Sequence, residues 1–486
     1  MMTFQLSDLG YIAPLIIAVV AGIFLILAEA MFKGKNHASL MGLTVASALV
    51  VAVTALVHYK NIGDREVVLF NGMLVADKLG YLFSAFAAFA VAIVALIAGP
   101  HQRTHAWENG EFFGILLLSS TGIIMLAHAG DLMTIFLGIE TLSIAVYVLT
   151  ALRKKSARGN EAAMKYFLMG AFATGILVYG MALLYGAAGT TNLAAMAERL
   201  VATPNLPLTV AGAFLMVIAF GFKIAAVPFH MWAPDAYEGA PTPVTAFMAA
   251  AVKAAAVVAM IRVFGTALGG EVLPFGTLGW ASPLVIMAAL TMTAGNLAAL
   301  KQNNIKRMLA YSSISHAGVI LVGITAMGLG SASAISSLVF YVMAYGLTTL
   351  GAFAVVAYIG SKDRERLLVD DWAGLATSHP GAALAMTICM LSLGGIPPTA
   401  GFMGKFQIFK SAMEVYDGQL LWLVILGILN SAVSIYYYLK VVTAMYFKPV
   451  AQPVGELNAP SQAFVIALCA VLVMAMGLLP SLWLGF

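Results

Sequence analysis

Long apolar runs separated by short polar segments recur along the chain from Tyr11 almost to Phe486. Each run has about 20 residues, the length that an α-helix needs to cross ~30 Å of hydrocarbon at ~1.5 Å per residue. The pattern predicts fourteen spans, at residues 11–32, 38–58, 74–98, 112–129, 131–152, 161–187, 208–239, 244–264, 280–300, 304–326, 332–358, 382–415, 420–447 and 461–484. The expected fold is an all-α polytopic membrane protein.

Two of these spans, 208–239 and 382–415, are too long for one straight crossing, and prolines interrupt both. The interrupting residues and their neighbours are Pro228 and Pro234 in span 7, and Gly394, Gly395, Pro397 and Pro398 in span 12. Because proline removes a backbone hydrogen bond, both spans are expected to be broken helices. A proline that only kinks its helix is the alternative for either one.

The broken spans lie five apart, which predicts two inverted five-helix repeats, the layout in which transporters place their sites. Four segments follow: an N-terminal three-helix segment at 1–98, a first repeat at 112–264 (helices 4–8), a second repeat at 280–447 (helices 9–13) and a C-terminal helix at 461–486.

Basic residues concentrate in the odd-numbered loops, which the positive-inside rule places in the cytoplasm. The odd loops hold Lys33, Lys35, Arg103, Arg153, Lys154, Lys155, Arg158, Lys301, Lys306, Arg307, Lys362, Arg364, Arg366 and Lys448. The even loops hold Lys60, Arg65, Lys78, Arg199, Arg262 and Lys410, partly offset by acids such as Asp64 and Asp77. Both termini are therefore expected in the periplasm of a bacterial plasma (inner) membrane.

The composition excludes a soluble protein, since 62% of the residues are hydrophobic and only 9% are charged, against about 25% charged in soluble domains. The formal charge of +4 is dispersed in loops, which argues against nucleic-acid binding. Cys389 and Cys469 lie in apolar runs without CxxC or Cys/His spacing, so no disulfide, zinc site or iron–sulfur cluster is expected.

Once the residues assigned to loops and span edges are set aside, five lysines and three glutamates remain inside the predicted spans, where a charge costs ~3 kcal/mol on insertion scales and indicates function by default. They are Glu29, Glu140, Glu161, Lys165, Lys223, Lys253, Lys405 and Lys440. Glu140 and Lys253 lie near the middle of their spans, whereas Lys223 and Lys405 flank the two breaks. For these four, the alternative is a structural ion pair that holds helices together.

For the remaining candidate residues, a structural explanation is an alternative to a role in function. Glu161 and Lys165 have the i, i+4 spacing of a local ion pair, and Glu29 and Lys440 lie near span ends, where snorkelling or anchoring is expected. His316, in the segment YSSISHAG, is either a titratable relay between lysines or a side chain hydrogen-bonded by Ser312, Ser313 or Ser315.

Burial disfavours the charged form of lysine, and a nearby carboxylate favours it. A helix movement that separates Glu140 from a lysine partner would therefore make that lysine release its proton, and restoring the pair would reload it. A row of such lysines, linked by water and a histidine, forms a proton wire. Metal-ion transport is less natural, because a protonated lysine cannot bind a cation and the spans hold few carboxylates.

Five motifs between spans 5 and 12 carry a family resemblance: LGIETLSIAVYVL, EAAMKYFLMGAF, GFKIAAVPFHMWAPDAYEGAPTPV, KQNNIKRMLAYSSISHAG and GGIPPTAGFMGKF. Together they resemble the antiporter-like membrane subunits of respiratory complex I, which are similar to the subunits of Mrp-type sodium/proton antiporters. The resemblance implies fourteen core helices in two inverted repeats, with helices 7 and 12 broken.

By motif, Glu140 matches the family's glutamate of helix 5, Lys223 the lysine of helix 7 and Lys253 that of helix 8. Lys405 matches the charged residue of helix 12, and His316 falls on the polar linker of helix 10. One of the three paralogous subunits has a glutamate at the helix 12 position, and another has a long C-terminal extension. With Lys405 and an end at Phe486, this chain is expected to be the third.

The resemblance implies a non-redox subunit in the membrane arm of NADH:quinone oxidoreductase, which moves protons outward along Glu140, Lys223, Lys253, His316 and Lys405. The expected partners are other complex I membrane subunits, the bilayer and protons. NADH, FMN, iron–sulfur clusters and quinone would belong to those other subunits, and this chain is expected to bind no cofactor or metal, since it has no dinucleotide fingerprint or Walker motif. A sodium/proton antiporter subunit and a membrane scaffold are the alternatives.

Overall fold

The computed structural model describes residues 8–483 apart from 33–36, 106, 108, 270–271, 273–278, 361–364, 416–417 and 451–458. Among the described residues, twelve helices are long and apolar enough to cross a membrane. Two shorter apolar helices, Glu111–Ala127 and Pro380–Gly394, complete the fourteen expected spans. The predicted all-α polytopic fold is confirmed. The loop residues Lys33, Lys35, Lys362 and Arg364, used above for orientation, lie outside the described residues.

The described part of residues 8–202 contains eight α-helices and one antiparallel hairpin. They are α1 (Asp8–Tyr11), α2 (Ala13–Phe32), α3 (His37–Ile62), β1 (Val67–Leu69), β2 (Leu74–Ala76), α4 (Lys78–Thr104), α5 (Glu111–Ala127), α6 (Leu132–Thr150), α7 (Ala157–Ala188) and α8 (Leu193–Ala202). Span 3 was predicted to begin at 74, but residues 74–76 pair with β1. The helix begins later because Asp77 caps it, accepting a hydrogen bond from the Gly80 N–H at 2.7 Å.

The first broken helix consists of α9 (Leu206–Lys223) and α10 (Trp232–Gly239). Pro228 lies in the break, whereas Pro234 lies inside α10, so the expectation that both prolines interrupt the span is corrected. Pro234 is tolerated in the first turn of α10, where its missing N–H would have no helical partner.

The next span is continuous from Thr242 to Ala267 but changes its winding twice. It contains α11 (Thr242–Phe247), a π-helical turn at Met248–Val252, α12 (Lys253–Met260) and a second π-helical turn at Ile261–Ala267. Such π-helical turns frequently mark functional sites. Lys253 begins α12 directly after the first of them.

The C-terminal half contains eight more helices. They are α13 (Ala281–Leu300), α14 (Ile305–Gly328), α15 (Ala334–Tyr358), α16 (Leu375–Ser378), α17 (Pro380–Gly394), α18 (Ala400–Met413), α19 (Leu421–Phe447) and α20 (Pro460–Leu478). The second broken helix consists of α17 and α18, with Pro397 and Pro398 in the gap. Span 14 was predicted to reach 484, but its helix ends at Leu478, before Pro480.

The centre of the molecule is formed by α12, α14 and α15. The most apolar stretch of α15 is buried along its full length, as is that of the 242–267 span, whereas only 28% of the corresponding stretch is buried in α2 or α3. Charged side chains on α12 and α14 therefore lie among other helices, away from lipid. Exposed apolar side chains on the outer helices, such as Phe24 and Phe172, suit a lipid-facing surface.

Two basic residues that the charge pattern treats as loop residues lie inside helices. Arg262 is 9% exposed in the second π-helical turn, and Lys306 is fully buried as the second residue of α14. Their assignment to loops was wrong because each lies at the edge of an apolar run, where sequence alone does not separate a helix end from a loop.

Candidate functional site

Lys253 lies at the centre of a buried polar chain. Its side chain is 4% exposed, and its Nζ donates to both the carbonyl oxygen and the Oγ of Ser313, each at 2.5 Å. The ring of Tyr345 lies 5.2 Å from the same nitrogen, within cation–π range. Among the described residues no carboxylate forms an ion pair with Lys253. A carbonyl, a hydroxyl and an aromatic face therefore hold its ammonium group, and none of them fixes its proton as a carboxylate would.

A second hydrogen-bonded group begins at the adjacent residue of α14, Ser312, and reaches His316. The Oγ of Ser312 and the hydroxyl of Tyr438 lie 2.5 Å apart, and that hydroxyl lies 3.1 Å from Nε2 of His316. On the other side of the ring, Nδ1 lies 2.6 Å from the hydroxyl of Tyr341. The three serines considered as direct partners of His316 are therefore replaced by two tyrosines. Nearly every atom in this chain can both give and accept a proton.

Lys405, on α18, is 7% exposed and lies against the end of α17. Its Nζ donates to the carbonyl oxygens of Leu393 at 3.0 Å and Gly394 at 3.4 Å. These carbonyls belong to the last turn of α17, where the break removes their helical partners and the helix dipole favours a cation. The broken helix thus creates the site that accommodates this lysine.

A small cavity of about 10 Å³ connects His316 with Lys405. Its polar lining also includes Asn296, Ser315, Asn430, Ser431, Ser434 and Tyr437. Its volume is close to the space that a single water needs, and a buried water needs two to four polar partners. One water in this cavity would extend the hydrogen-bonded chain from His316 to Lys405.

Glu140 and Lys223 lie near each other but do not pair directly. The Glu140 carboxylate accepts a hydrogen bond from Oγ1 of Thr174 at 2.6 Å, and Nζ of Lys223 donates to Oγ of Ser143 at 2.8 Å. Ser143 follows Glu140 by about one turn of α6, so Lys223 reaches that helix one turn beyond the carboxylate. The expected contact of Glu140 with a lysine is corrected: a threonine hydroxyl is its hydrogen-bond partner.

Glu161 and Lys165 form the expected local ion pair at 2.7 Å, and the pair belongs to a larger network. Lys165 also contacts Asp235 on α10 at 2.9 Å, and Asp235 accepts from Arg307 on α14 at 2.8 Å. The side chains of Glu161 and Lys165 are 64% and 46% exposed. The network joins α7, α10 and α14 at the surface.

We expect Glu161→Gln to shift the melting temperature of the purified complex by less than about 2 °C, because exposed ion pairs contribute little. Asp235→Asn is the matched comparison, and it should lower the melting temperature more, since both Lys165 and Arg307 lose a partner. Equal losses in the two variants would contradict this assignment.

The two residues near span ends have local surroundings. Nζ of Lys440 donates to the Gln302 carbonyl at 3.2 Å and to Oδ1 of Asn303 at 2.7 Å, in the loop between α13 and α14. The Glu29 carboxyl lies against the backbone of Gly110, where a Cβ would collide with it. These contacts suit anchoring residues at helix ends.

The site residues that sequence reasoning missed are mostly neutral. Tyr341 and Tyr438 are fully buried neighbours of His316, and Asn296 bonds the Asn430 amide oxygen and the Tyr437 hydroxyl on α19. Tyrosines are common at membrane interfaces, so their presence in a span carries little signal. The run Tyr436 to Tyr438 inside span 13 was the available clue.

Tyr438→Phe is expected to slow proton translocation by the complex about tenfold, because it removes the hydroxyl between Ser312 and His316 while it keeps the ring. Tyr436→Phe is the matched control, since this neighbour on α19 is 67% exposed. Translocation is measured per assembled complex in vesicles. An unchanged rate in Tyr438→Phe would exclude this hydroxyl from the route.

His101, His105 and Glu365 offer ligand atoms within 4.8 Å of one another, as a metal site would. However, Nε2 of His101 lies 3.1 Å from Oε1 of Glu365, and the Trp107 indole donates to Nδ1 of the same ring at 3.1 Å. Both ring nitrogens are thus engaged, and Arg153 donates to the same carboxylate oxygen at 2.9 Å. These contacts form a hydrogen-bonded ion-pair network around Glu365.

Comparisons with known proteins agree with this architecture. Residues 129–433 match the family model described as NADH:quinone oxidoreductase/Mrp antiporter, TM. NADH-quinone oxidoreductase subunit N 1 of Sorangium cellulosum is 43% identical, over 98% of this chain and 96% of its own length. A chain of respiratory complex I from Thermus thermophilus with bound aureothin superposes with a TM-score of 0.81 at 32% identity, covering 97% of this chain and 98% of that chain.

A chain of the Mrp complex from a Dietzia species superposes with a TM-score of 0.85, covering 99% of this chain and 96% of that chain. At 20% identity this likeness shows a shared fold alone. The family resemblance predicted from the motifs is confirmed. The Sorangium relative is named subunit N 1, and subunit N is the third paralogue, to which the sequence assigns this chain on the basis of Lys405.

Proposed function

Because this chain belongs to the NADH:quinone oxidoreductase/Mrp antiporter family of membrane subunits, we propose that it is subunit N of an NADH-quinone oxidoreductase and moves protons across the membrane. The residues proposed to form the relay are Glu140, Lys223, Lys253, His316 and Lys405. A secondary role, in ion pairs or anchoring contacts near helix ends, is proposed for Glu161, Lys165, Glu29 and Lys440.

The observation that carries the proposal is a buried row of polar groups in two hydrogen-bonded parts. Lys253 binds Ser313, and the adjacent Ser312 binds Tyr438, whose hydroxyl lies beside His316. These groups lie in the most deeply buried part of the protein, where burying a polar side chain costs free energy unless it is hydrogen-bonded. The serine and tyrosine hydroxyls both donate and accept, so a proton can pass along each part by successive transfers, and its passage between Ser313 and Ser312 belongs to the proposal. The cavity beside His316 extends the route to Lys405.

Lys223 and Glu140 supply a second part of the relay. The Lys223 ammonium group lies at the C-terminal end of α9, where the break leaves carbonyls without helical partners. Its Nζ donates to Ser143, one turn after Glu140 on α6, which places the two charged groups near each other. A small movement of α6 or α9 would change their separation, which would change how strongly Lys223 holds its proton.

Redox chemistry belongs to the partners in this proposal. NADH, FMN, iron–sulfur clusters and quinone would be bound by other subunits of the complex, and this chain would bind no cofactor. The two cysteines, Cys389 and Cys469, are buried and free. Neither has the environment of a cluster ligand, because each lies in an apolar helix.

The segment boundaries and the orientation are part of the same proposal. The repeats would comprise residues 112–264 and 280–447, between the N-terminal segment 1–98 and the C-terminal helix 461–486. Each repeat contains one broken helix, α9 with α10 or α17 with α18. The termini would face the periplasm of a bacterial plasma membrane, because basic loops favour the cytoplasm.

Reconstitution of the purified complex into vesicles tests the function. We expect NADH oxidation by quinone to drive proton translocation, and we expect no exchange of sodium for protons in the absence of NADH. Sodium/proton exchange without NADH or quinone would favour the antiporter. Co-purification of this chain with NADH-oxidising, cluster-bearing subunits is the second requirement, and purification without them would contradict the proposal.

A further inference from the structure

Lys306 is the most deeply buried lysine among those described. It is the second residue of α14, its side chain is 0% exposed, and its Nζ donates to the carbonyl oxygen of Ala240 at 2.6 Å. Ala240 follows α10, the short helix after the first break. Among the described residues no carboxylate lies within ion-pair distance of this nitrogen. Lys306 therefore resembles Lys253, with a carbonyl oxygen as its partner.

A carboxylate nevertheless lies close enough to act on Lys306. Burial raises the pKa of the Glu365 carboxyl, but the charges of Lys306 and Arg153 and the hydrogen bond from His101 together hold that pKa far below its usual range. Glu365 is thus a permanently ionised counter-charge, on the face of the protein that carries the loops after α6 and α15.

Four elements bring charged or titratable groups toward Lys306. They are α4 with His101 and His105, the segment after α6 with Arg153, α10 with Glu238, and the segment after α15 with Glu365. His105 remains neutral over the physiological range, because burial and the neighbouring His101 lower its pKa to about 4. Glu365 and Glu238 are the carboxyl groups that face Lys306, and Arg153 is the other basic group beside it.

Lys306 also shares a face of α14 with the residue that binds Lys253. Ser313, which binds Lys253, follows Lys306 by seven residues on α14, which is two turns along the same face or about 10 Å. The short helix α10 runs beside this interval. Its Tyr237 hydroxyl lies 3.4 Å from Oγ of Ser313, and three residues later Ala240 accepts from Lys306.

We propose that Lys306 is a further proton-carrying residue, through which protons reach Lys253 from the face where Glu365 lies. The inference rests on the proposed proton relay. In each cycle the Lys306 ammonium group gives one proton, through the hydroxyls of Tyr237 and Ser313, to the free amine of Lys253. Lys306 remains as a neutral amine and is reprotonated from the aqueous side beside Glu365.

The direct test uses two substitutions in the assembled complex, with proton translocation measured per complex in vesicles. Lys306→Met removes both the positive charge of the ammonium group and the proton that it could transfer. Lys306→Arg keeps a charged donor for the Ala240 carbonyl, but arginine does not release its proton in proteins. Both variants are expected to lower translocation at least tenfold. Lys301→Met is the matched control, because this nearby lysine is exposed and should be replaceable without effect.

A Lys306→Arg complex that translocates protons at the parental rate overturns the proposal, because Lys306 would then only join α14 to α10. Lys253→Met separates this failure from failure of the relay itself. Loss of translocation in Lys253→Met together with full activity in Lys306→Arg refutes the role of Lys306 alone. Full activity in Lys253→Met refutes the relay.

Glu365→Gln provides a second measurement that does not depend on replacing the lysine. Without this carboxylate the proposed entry side loses its buried counter-charge, so the alkaline limb of the translocation profile is expected to move to lower pH. His101→Gln removes the neighbouring ring, keeps the carboxylate and should leave that limb in place. An unchanged profile in Glu365→Gln overturns the proposal.

Discussion

Replacing Lys253 by methionine is expected to lower NADH-driven proton translocation at least tenfold. Methionine has nearly the same length and fills the same apolar surroundings, but it cannot carry a proton. Ser313 would lose its donor, and the chain toward His316 would have no source of protons on this side. The measurement is acidification of vesicles that contain the purified complex, with NADH oxidation recorded in parallel.

The matched control for Lys253 is Lys410→Met, which removes a lysine that is 57% exposed. It should leave both rates unchanged. Oxidation of NADH by an artificial acceptor should also persist in Lys253→Met, because that reaction belongs to the partner subunits. Full proton translocation by Lys253→Met would exclude the proton-relay hypothesis. It would favour the membrane-scaffold hypothesis, in which the buried charges only join helices.

Replacing Arg262 by methionine is expected to destabilise the protein by about 3 kcal/mol, the usual cost of breaking a buried ion pair and leaving one charge alone. Two guanidinium nitrogens of Arg262 each contact one oxygen of Asp77 at 2.7 Å, and Arg262 also donates to the Ala127 carbonyl. This bidentate pair joins the end of the 242–267 span to the start of α4. The melting temperature and yield of the complex measure the loss.

A double variant controls for the unpaired charge. Asp77→Asn combined with Arg262→Met removes both charges, and asparagine can still cap α4. We therefore expect the double variant to recover part of the stability that Arg262→Met loses. A double variant no more stable than Arg262→Met would mean that the loss came from packing around the guanidinium group and not from a stranded carboxylate.

Part of the candidate site could be predicted because a charge inside an apolar run is conspicuous. Lys253 and Glu140 stand out in this way, and proline marks the breaks beside Lys223 and Lys405. Lys306 and Arg262 were missed because each lies at the edge of a run, where a loop and a buried helix end look alike. The neutral links were missed because tyrosine and serine are ordinary residues in spans.

The number of spans, the two breaks and the ionisable residues in the middle of the spans could all be read from the sequence. These depend on local properties: the length of apolar runs, the missing N–H of proline and the cost of burying a charge. The tertiary structure alone decided which groups meet. Lys253 bonds a serine 60 residues away, and Ser312 bonds a tyrosine 126 residues away.

Such pairings depend on the rotation and relative height of packed helices, which no local pattern specifies. For this reason Glu140 meets Thr174 in place of the expected lysine, and His316 meets two tyrosines in place of serines. The buried charges were identifiable along the chain, but the route that connects them exists only where α12, α14, α15 and α19 come together.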